Sequence, residues 1–355
     1  MTGVFQYVNP GTIYWGNRSL ERLAEHLDKR NVRRPFLIST KSLLGNQHVL
    51  ARFCKALGRE LAGTANPIGQ HAPQADLDAA IEAARRAQPD GIVSLGGGSP
   101  IDSAKIVAFE LGELPHVAVP TTLSVAELAP SAGVTNAAGQ KAGRRDSRLT
   151  PDAAIYDPEL ALHTPLDLWL STGIRALDHA IESVLEPGEH PYSDALALDA
   201  IRRLFTSLPE ARNRPGAVDV RCENQVGAWL SYSLVSAASG LSHTLGKQIG
   251  SKHGIPHGVT SCLLLPHVMR YRARTQAERM ALMAATMGVG QSGASAQQLA
   301  SAAADAVQTL IHRLGQPQHL AAYKLTDAEL RAAAEPVASD QYPLEDLLTI
   351  YGAAA

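Results

Sequence analysis

Apolar and polar residues alternate along the first third of the chain in two different rhythms. Short, almost continuous apolar runs rich in β-branched residues appear at Thr12–Trp15, Pro35–Ser39, Gly91–Leu95 and His116–Pro120. Between them, apolar residues recur every three or four positions over Leu20–Lys29, Leu43–Leu57, Gln74–Ala87 and Ile101–Leu111. A run apolar on both sides predicts a strand covered on both faces, and the three-to-four spacing predicts an amphipathic helix. Strand and helix in turn at these lengths predict βαβ units and a parallel sheet. From about Leu160 onward strands disappear. Helical periodicity continues over Leu166–Leu185, Ser193–Leu208, Asn224–Gly250, Ala277–Met287, Ser295–Leu314 and Asp327–Ala334. The expectation is an α/β domain over residues 1–160 and an all-helical domain over residues 161–355.

A chain of 355 residues is long enough for two domains. The formal net charge is only −2 and no basic run is present, which argues against nucleic-acid or anionic-membrane partners. The first residues, MTGVFQYVNPG, lack the charged and apolar regions of a signal peptide, and no apolar run approaches membrane-spanning length. Cys54, Cys222 and Cys262 are odd in number and far apart, which fits a reducing compartment. The expected location is the cytoplasm.

Three stretches carry candidate chemistry. In the first, Ile92–Lys105, a strand runs into Gly96, Gly97 and Gly98 and then a helix, with Ser99 as expected N-cap and Pro100 as first helical residue. Bare glycine backbone before a helix N-terminus lets amides approach a pyrophosphate. The turn matches neither G-x-G-x-x-G nor a P-loop. The next strand ends in Thr121, Thr122 and Ser124, a hydroxyl-rich turn at the same sheet edge, where open α/β sheets bind ligands. Two such turns favour a dinucleotide. The strand Pro35–Ser39 ends in Thr40 and Lys41, where an acid would hold the ribose diol and repel a 2′-phosphate. Both NADH and NADPH are therefore expected to bind. Asp102 and Lys141 complete the expected cofactor-side residues.

The second stretch, Ser171–Glu182, reads as a helix with Arg175 and His179 on one face, and with Asp178 and Glu182 turned toward other partners. A buried Arg calls for an anion, either an acid of this chain or a substrate carboxylate. The third, Ser239–His267, gathers His243, Lys247, His253, His257 and His267. Small residues (236–240) would let the helix bearing His243 pack closely. His243 and Lys247 share a face, Gly250 and Gly254 permit a helix end, and Pro256 suits the first turn of a helix that begins near His257 and runs through SCLLLPH.

These motifs together resemble the iron-containing alcohol dehydrogenase superfamily and its maleylacetate reductase branch. The resemblance rests on GGGSPIDSAK (96–105), PTT (120–122), the run from Tyr156 through Leu160, STGIRALDHAIE (171–182), the histidines from 243 to 257 with PHG, and LLLPHVMRY (263–271). It implies the dehydroquinate synthase-like fold, with a nucleotide-binding α/β domain, a helical domain and a site in the cleft between them. Metal-dependent members hold Fe²⁺ or Zn²⁺ with one Asp and three His. By this resemblance the histidines are His179, His243 and His257, and the place of the Asp is taken by Arg175. A further familiar histidine, four residues after the middle ligand, is replaced by Lys247.

Two cations in place of metal-site residues imply a metal-independent site, although three neutral imidazoles can bind zinc. Maleylacetate reductases, as the resemblance implies, reduce a dicarboxylate with NAD(P)H, and Arg175 and Lys247 suit such a dianion. Their C-terminal tyrosine is matched loosely by Tyr342. The expected protein is thus a homodimeric NAD(P)H-dependent reductase of a small dicarboxylate or oxo-acid, acting in the catabolism of aromatic compounds. Its expected catalytic residues are Arg175, His179, His243, Lys247, His257 and Tyr342. The alternatives are a metal-dependent alcohol dehydrogenase with an altered ligand set, a non-redox lyase like dehydroquinate synthase, and a non-catalytic binding protein.

Overall fold

A computed structural model describes residues 10–137, 141–186, 190–232 and 240–355, with the side chain of Lys141 not among the described parts. The strands are β1 (Thr12–Trp15), β2 (Pro35–Ser39), β3 (Gly63–Thr64), β4 (Gly91–Gly96), β5 (His116–Pro120), β6 (Ser131–Thr135), β7 (Lys141–Arg145) and β8 (Ala153–Tyr156). The helices are α1 (Leu23–Lys29), α2 (Lys41–Leu44), α3 (Gln47–Leu57), α4 (Gln74–Ala87), α5 (Gly98–Glu110), α6 (Pro158–Ala161), α7 (Leu166–Leu185), α8 (Pro191–Asn213), α9 (Val218–Leu230), α10 (Leu241–Gly250), α11 (His257–Met287), α12 (Ala296–Arg313), α13 (Asp327–Ala334) and α14 (Leu344–Ala353). The chain divides into two compact units, one of residues 1–165 with 216–225, the other of 166–215 with 226–355.

In the first unit six strands form a sheet in the order β1-β8-β5-β4-β2-β3, every neighbouring pair parallel. Side chains alternate across it as a strand's two-residue period requires. Leu37, Val93, Leu95, Val117 and Val119 enter one core with Leu20, Leu27, Val49 and Phe53. Phe36, Ile38 and Ile92 enter the opposite core with Leu77, Ala80, Ala84 and Val107. Helices therefore cover both faces, and burial on both sides explains the unbroken apolar runs. The strands expected at 12–15, 35–39 and 116–120 form as read, and β4 runs one residue further, to Gly96. The pair β6 and β7 makes a separate antiparallel ribbon.

Some helix bounds differ from the periodicity. The expected helix Leu43–Leu57 breaks into α2 and α3 because the Asn46 side chain accepts the amides of His48 and Val49 and starts a new helix. The expected start at Ile101 moves back to Gly98, so Gly97, not Ser99, is the N-cap of α5, and no side chain caps it.

The second unit is helical. Leu241, Leu245, Ile249, Val259, Leu263, Leu347 and Tyr351 are buried together where α10, α11, α13 and α14 meet. α12 opens with a capping box between Ser295 and Gln298, and α13 with one between Thr326 and Glu329. The expected single helix over Asn224–Gly250 is instead α9, ending at Leu230, and α10, starting at Leu241; residues 233–239 lie outside the described residues. The expected separate helix Ala277–Met287 is the second half of α11, which kinks at Gln276 (φ −130°, ψ 32°). At that kink Arg272 bonds Glu186 and Tyr342, while Gln276 donates to the Leu185 carbonyl and Arg279 to that of Val184. These donors satisfy the open carbonyls at the end of α7, the helix that carries Arg175 and His179. Among the described residues no helix is long and apolar enough to cross a membrane.

Candidate active site

In the first unit, β4 delivers the chain to Gly96, whose φ of +147° is a conformation only glycine adopts freely. A side chain at Gly97 would stand 3.0 Å from Thr122 Cγ2 and 3.1 Å from Thr122 Oγ1, and one at Gly98 would stand 3.4 Å from Ser124 Oγ. The glycine turn and the hydroxyl turn are thus pressed together, with the Thr121 amide donating to the Gly96 carbonyl at 2.9 Å. Thr122 Oγ1 and Ser124 Oγ are buried and, among the described residues, have no hydrogen-bond partner. Buried hydroxyls ordinarily have partners. Two without one, beside an uncapped helix N-terminus and bare glycine backbone, fit the phosphates of a dinucleotide.

Asp102 accepts the Gly133 amide at 3.0 Å and stands 3.6 Å from the Lys105 ammonium, so its carboxylate braces the fold. Ser99 lies within the first turn of α5 and does not cap it. Thr40, at the end of β2, pairs with the Ser42 hydroxyl at 3.1 Å and presents no acid there. Lys141 has its backbone in β7, and its side chain lies outside the described parts.

In the second unit, α7, α10 and α11 each contribute a histidine. The rings of His179 and His243 are 5.5 Å apart between centroids, and those of His243 and His257 5.0 Å. Glycines permit the convergence. A side chain at Gly258 would meet the Ser171 backbone of α7 at 2.7 Å, and one at Gly246 would meet Thr260 of α11 at 2.7 Å. Tyr232, which the sequence did not single out, stands edge-on to His179 with centroids 5.3 Å apart. Gly254 takes the left-handed conformation (φ +66°) and Pro256 caps α11, so His257 is its first residue, as the glycine and proline spacing predicts. His253 and His267 go elsewhere: His253 faces Glu329 at 3.9 Å, and His267 lies further along α11, near Arg270 and His319.

Arg175 is 2% exposed, and its anion is Asp178. Its Nη1 donates to Asp178 Oδ2 at 3.1 Å and to Ser261 Oγ at 2.9 Å, while Ser242 and Ser261 donate their own hydroxyls to the same carboxylate oxygen. This corrects the expectation that Asp178 turns to other partners: at i+3 it shares the Arg175 face as fully as His179 does at i+4. Arg175 is accordingly not an arm free to fork a substrate carboxylate. Among the described residues its Nη2 remains buried without a partner, as do Asp178 Oδ1 and His243 Nδ1.

Glu182, one turn further on, accepts the His243 amide at 3.2 Å. A side chain at Gly240 would stand 2.2 Å from its carboxyl carbon. Burial, reinforced by the charge of Asp178, pushes Glu182 well above the usual carboxylate range. Burial, then the charges of Arg175 and Lys247, push His179 well below the usual imidazole range, which favours its neutral form. Lys247 is exposed, one turn beyond His243 on α10. Tyr342 has its hydroxyl between Arg272, at 2.6 Å, and Glu186, at 3.3 Å. That places it near the α11 kink.

Among the described residues no group of three or more His, Cys, Asp or Glu side chains could hold an ion, and the place of a carboxylate ligand holds a guanidinium whose charge already opposes positive charge on His179.

Comparison with known proteins agrees with this layout. Residues 10–158 match the family model of iron-containing alcohol dehydrogenase, and residues 169–349 match that of the Fe-containing alcohol dehydrogenase family, C-terminal. A maleylacetate reductase from Rhizobium sp. (strain MTP-10005) is 30% identical over 94% of this chain and 90% of its own. One from Pseudomonas sp. (strain P51) is 32% identical over 93% and 90%. The crystal structure of maleylacetate reductase from Agrobacterium tumefaciens superposes with a TM-score of 0.87 at 27% identity, covering 100% of this chain and 98% of that one. The chain belongs to the iron-containing alcohol dehydrogenase family, on its maleylacetate reductase-like branch, and is an NAD(P)H-using oxidoreductase.

Proposed function

We propose that this enzyme reduces the carbonyl group, or an activated double bond, of a small carboxylated compound of the maleylacetate kind, and does so without a metal. The observation that carries this reading is the charge of the histidine cluster: Arg175 and Lys247 stand where the resemblance places a metal ligand and a histidine, and Arg175 keeps one buried donor, Nη2, unspent. The maleylacetate reductases among its relatives support the substrate class.

NAD(P)H, when bound, supplies the hydride. The glycine amides of residues 96–98 and the hydroxyls of Thr122 and Ser124 hold its phosphates, and Thr40 leaves a 2′-phosphate unopposed. The substrate lies at the histidines. Negative charge that develops on its oxygen meets Lys247 and the free Nη2 of Arg175, which take the electrostatic role a metal plays in the metal-dependent relatives. A neutral imidazole, or a water that the histidines hold, donates the proton. Asp178 neutralises Arg175 until then.

The test is net oxidation of NADH, followed at equimolar substrate over a panel of oxo-acids, oxo-dicarboxylates and uncharged ketones. Turnover of carboxylated compounds at least about tenfold above the uncharged ones supports the proposal. Turnover confined to uncharged alcohols and aldehydes points to an ordinary alcohol dehydrogenase, and no net redox change to a lyase.

A further inference from the structure

The loop between the hydroxyl turn and β6 carries a strain that its own sequence does not explain. Val125 follows Ser124 directly and sits at φ +55°, ψ 18°, 2% exposed. A β-branched residue in the left-handed region is a genuine outlier, and such conformations persist only where the surroundings over-determine them. Here the surroundings are identifiable. At one end the Thr121 amide is held by Gly96 and its carbonyl by the Thr164 hydroxyl at 2.5 Å. At the other end stands Lys105 of α5, its side chain fully buried. Its ammonium donates to the carbonyls of Ala126, Ala129 and Ser131, the last two at 2.8 Å. Those three bonds use all three donors of an ammonium. No proton is left to meet a ligand.

Resting on the nucleotide-site reading above, we propose that Lys105 is a positioning residue for the cofactor: it holds the 121–131 loop in its strained form and so aims Thr122 Oγ1 and Ser124 Oγ at the glycine turn. The loop is prepaid in the shape the nucleotide needs, and both unpartnered hydroxyls wait in it. Asp102, one turn before Lys105, acts in the same brace through the Gly133 amide. Lys105 is among the residues that line a cavity of about 180 Å³, together with Arg30, Phe109, His116 and Arg148.

Lys105→Ala is therefore expected to weaken NADH binding about tenfold or more, raising KM for the nucleotide while kcat at saturation changes by less than about threefold. Added n-propylammonium, which restores an ammonium to the three carbonyls, should recover part of that affinity, and tetramethylammonium should not. Val125→Gly removes the strain and should weaken NADH binding several-fold through lost preorganisation. In that background the further loss from Lys105→Ala should shrink. Val125→Gly is informative by itself if Lys105→Ala does not fold. An unchanged Kd for NADH in both variants, equal losses in KM and kcat, or fully additive effects would overturn the proposal. Failure of the nucleotide-site reading itself looks different: wild type would then bind no NADH, or Gly97→Val would bind it as wild type does.

Discussion

The buried pair of Arg175 and Asp178 makes a quantitative claim about stability. Arg175→Met removes the guanidinium but keeps an apolar side chain of similar length. Asp178, 0% exposed, then retains hydroxyl donors from Ser242 and Ser261 but no counter-charge. Removing one partner of a buried ion pair costs about 3–5 kcal/mol, because the other charge is left uncompensated. With a urea slope of roughly 2–3 kcal/mol per molar, the unfolding midpoint should fall by about 1–2 M at pH 7. The pH dependence has a definite sign. Burial already raises Asp178, and Arg175 is the largest influence pulling it back. Without Arg175 the folded-state pKa lies further above the unfolded value, so the native state binds the extra proton and the deficit grows as pH rises through that window. The variant should approach wild type near pH 5 and fall furthest behind near pH 8. Asp178→Leu introduced together with Arg175→Met should recover most of the loss, since no charge then remains to be paired. Urea unfolding followed by circular dichroism from pH 5 to 8 is the assay. A midpoint within about 0.3 M of wild type at pH 8, or a double variant no better than the single, would refute the pairing as an energetic unit.

Two further outcomes concern the nucleotide. Gly97→Val puts a branched side chain against Thr122, already 3.0 Å from the first carbon of any side chain. NADH binding by fluorescence titration should be lost while urea unfolding of the helical unit is unchanged; a Kd equal to wild type would remove the glycine turn from the site. Wild type should accept NADPH within about tenfold of NADH, a gap of roughly 1.4 kcal/mol, and Thr40→Asp should shift that ratio toward NADH. If wild type already rejects NADPH, the discrimination lies elsewhere than Thr40.

Strands whose both faces are covered were legible because unbroken apolar runs admit no other reading: β2 and β5 appear with their expected bounds and β4 within one residue. The ones that escaped are short or marginal. β3 has two residues, β8 opens with two alanines, β7 is rich in arginine, and β6, although Ala132 and Val134 alternate inward, spans only five small or polar-flanked residues. Helix breaks were missed where a polar cap, such as Asn46, interrupts a run whose periodicity continues across it. At the site the same division holds. The three histidines follow from motif order, but the partner of Arg175 was decided by which i+3 or i+4 neighbour bears a charge, a signal present at Asp178 and read past. Tyr232 and Lys105 meet residues distant in sequence, and although Lys105 closes the GGGSPIDSAK motif, nothing in that motif names the three carbonyls it bonds.

The central claim is reduction without a metal, and the most direct measurement is metal content beside activity. Purified enzyme is analysed for Fe and Zn by mass spectrometry, and NADH oxidation by an oxo-dicarboxylate is followed before and after exhaustive chelation, with Arg175→Asp treated in parallel. The account predicts far less than one metal ion per wild-type chain and a rate unmoved by chelation, with metal uptake only in Arg175→Asp, where a carboxylate rejoins the three histidines. One ion per wild-type chain, with activity lost on chelation and restored by Fe²⁺ or Zn²⁺, would contradict it.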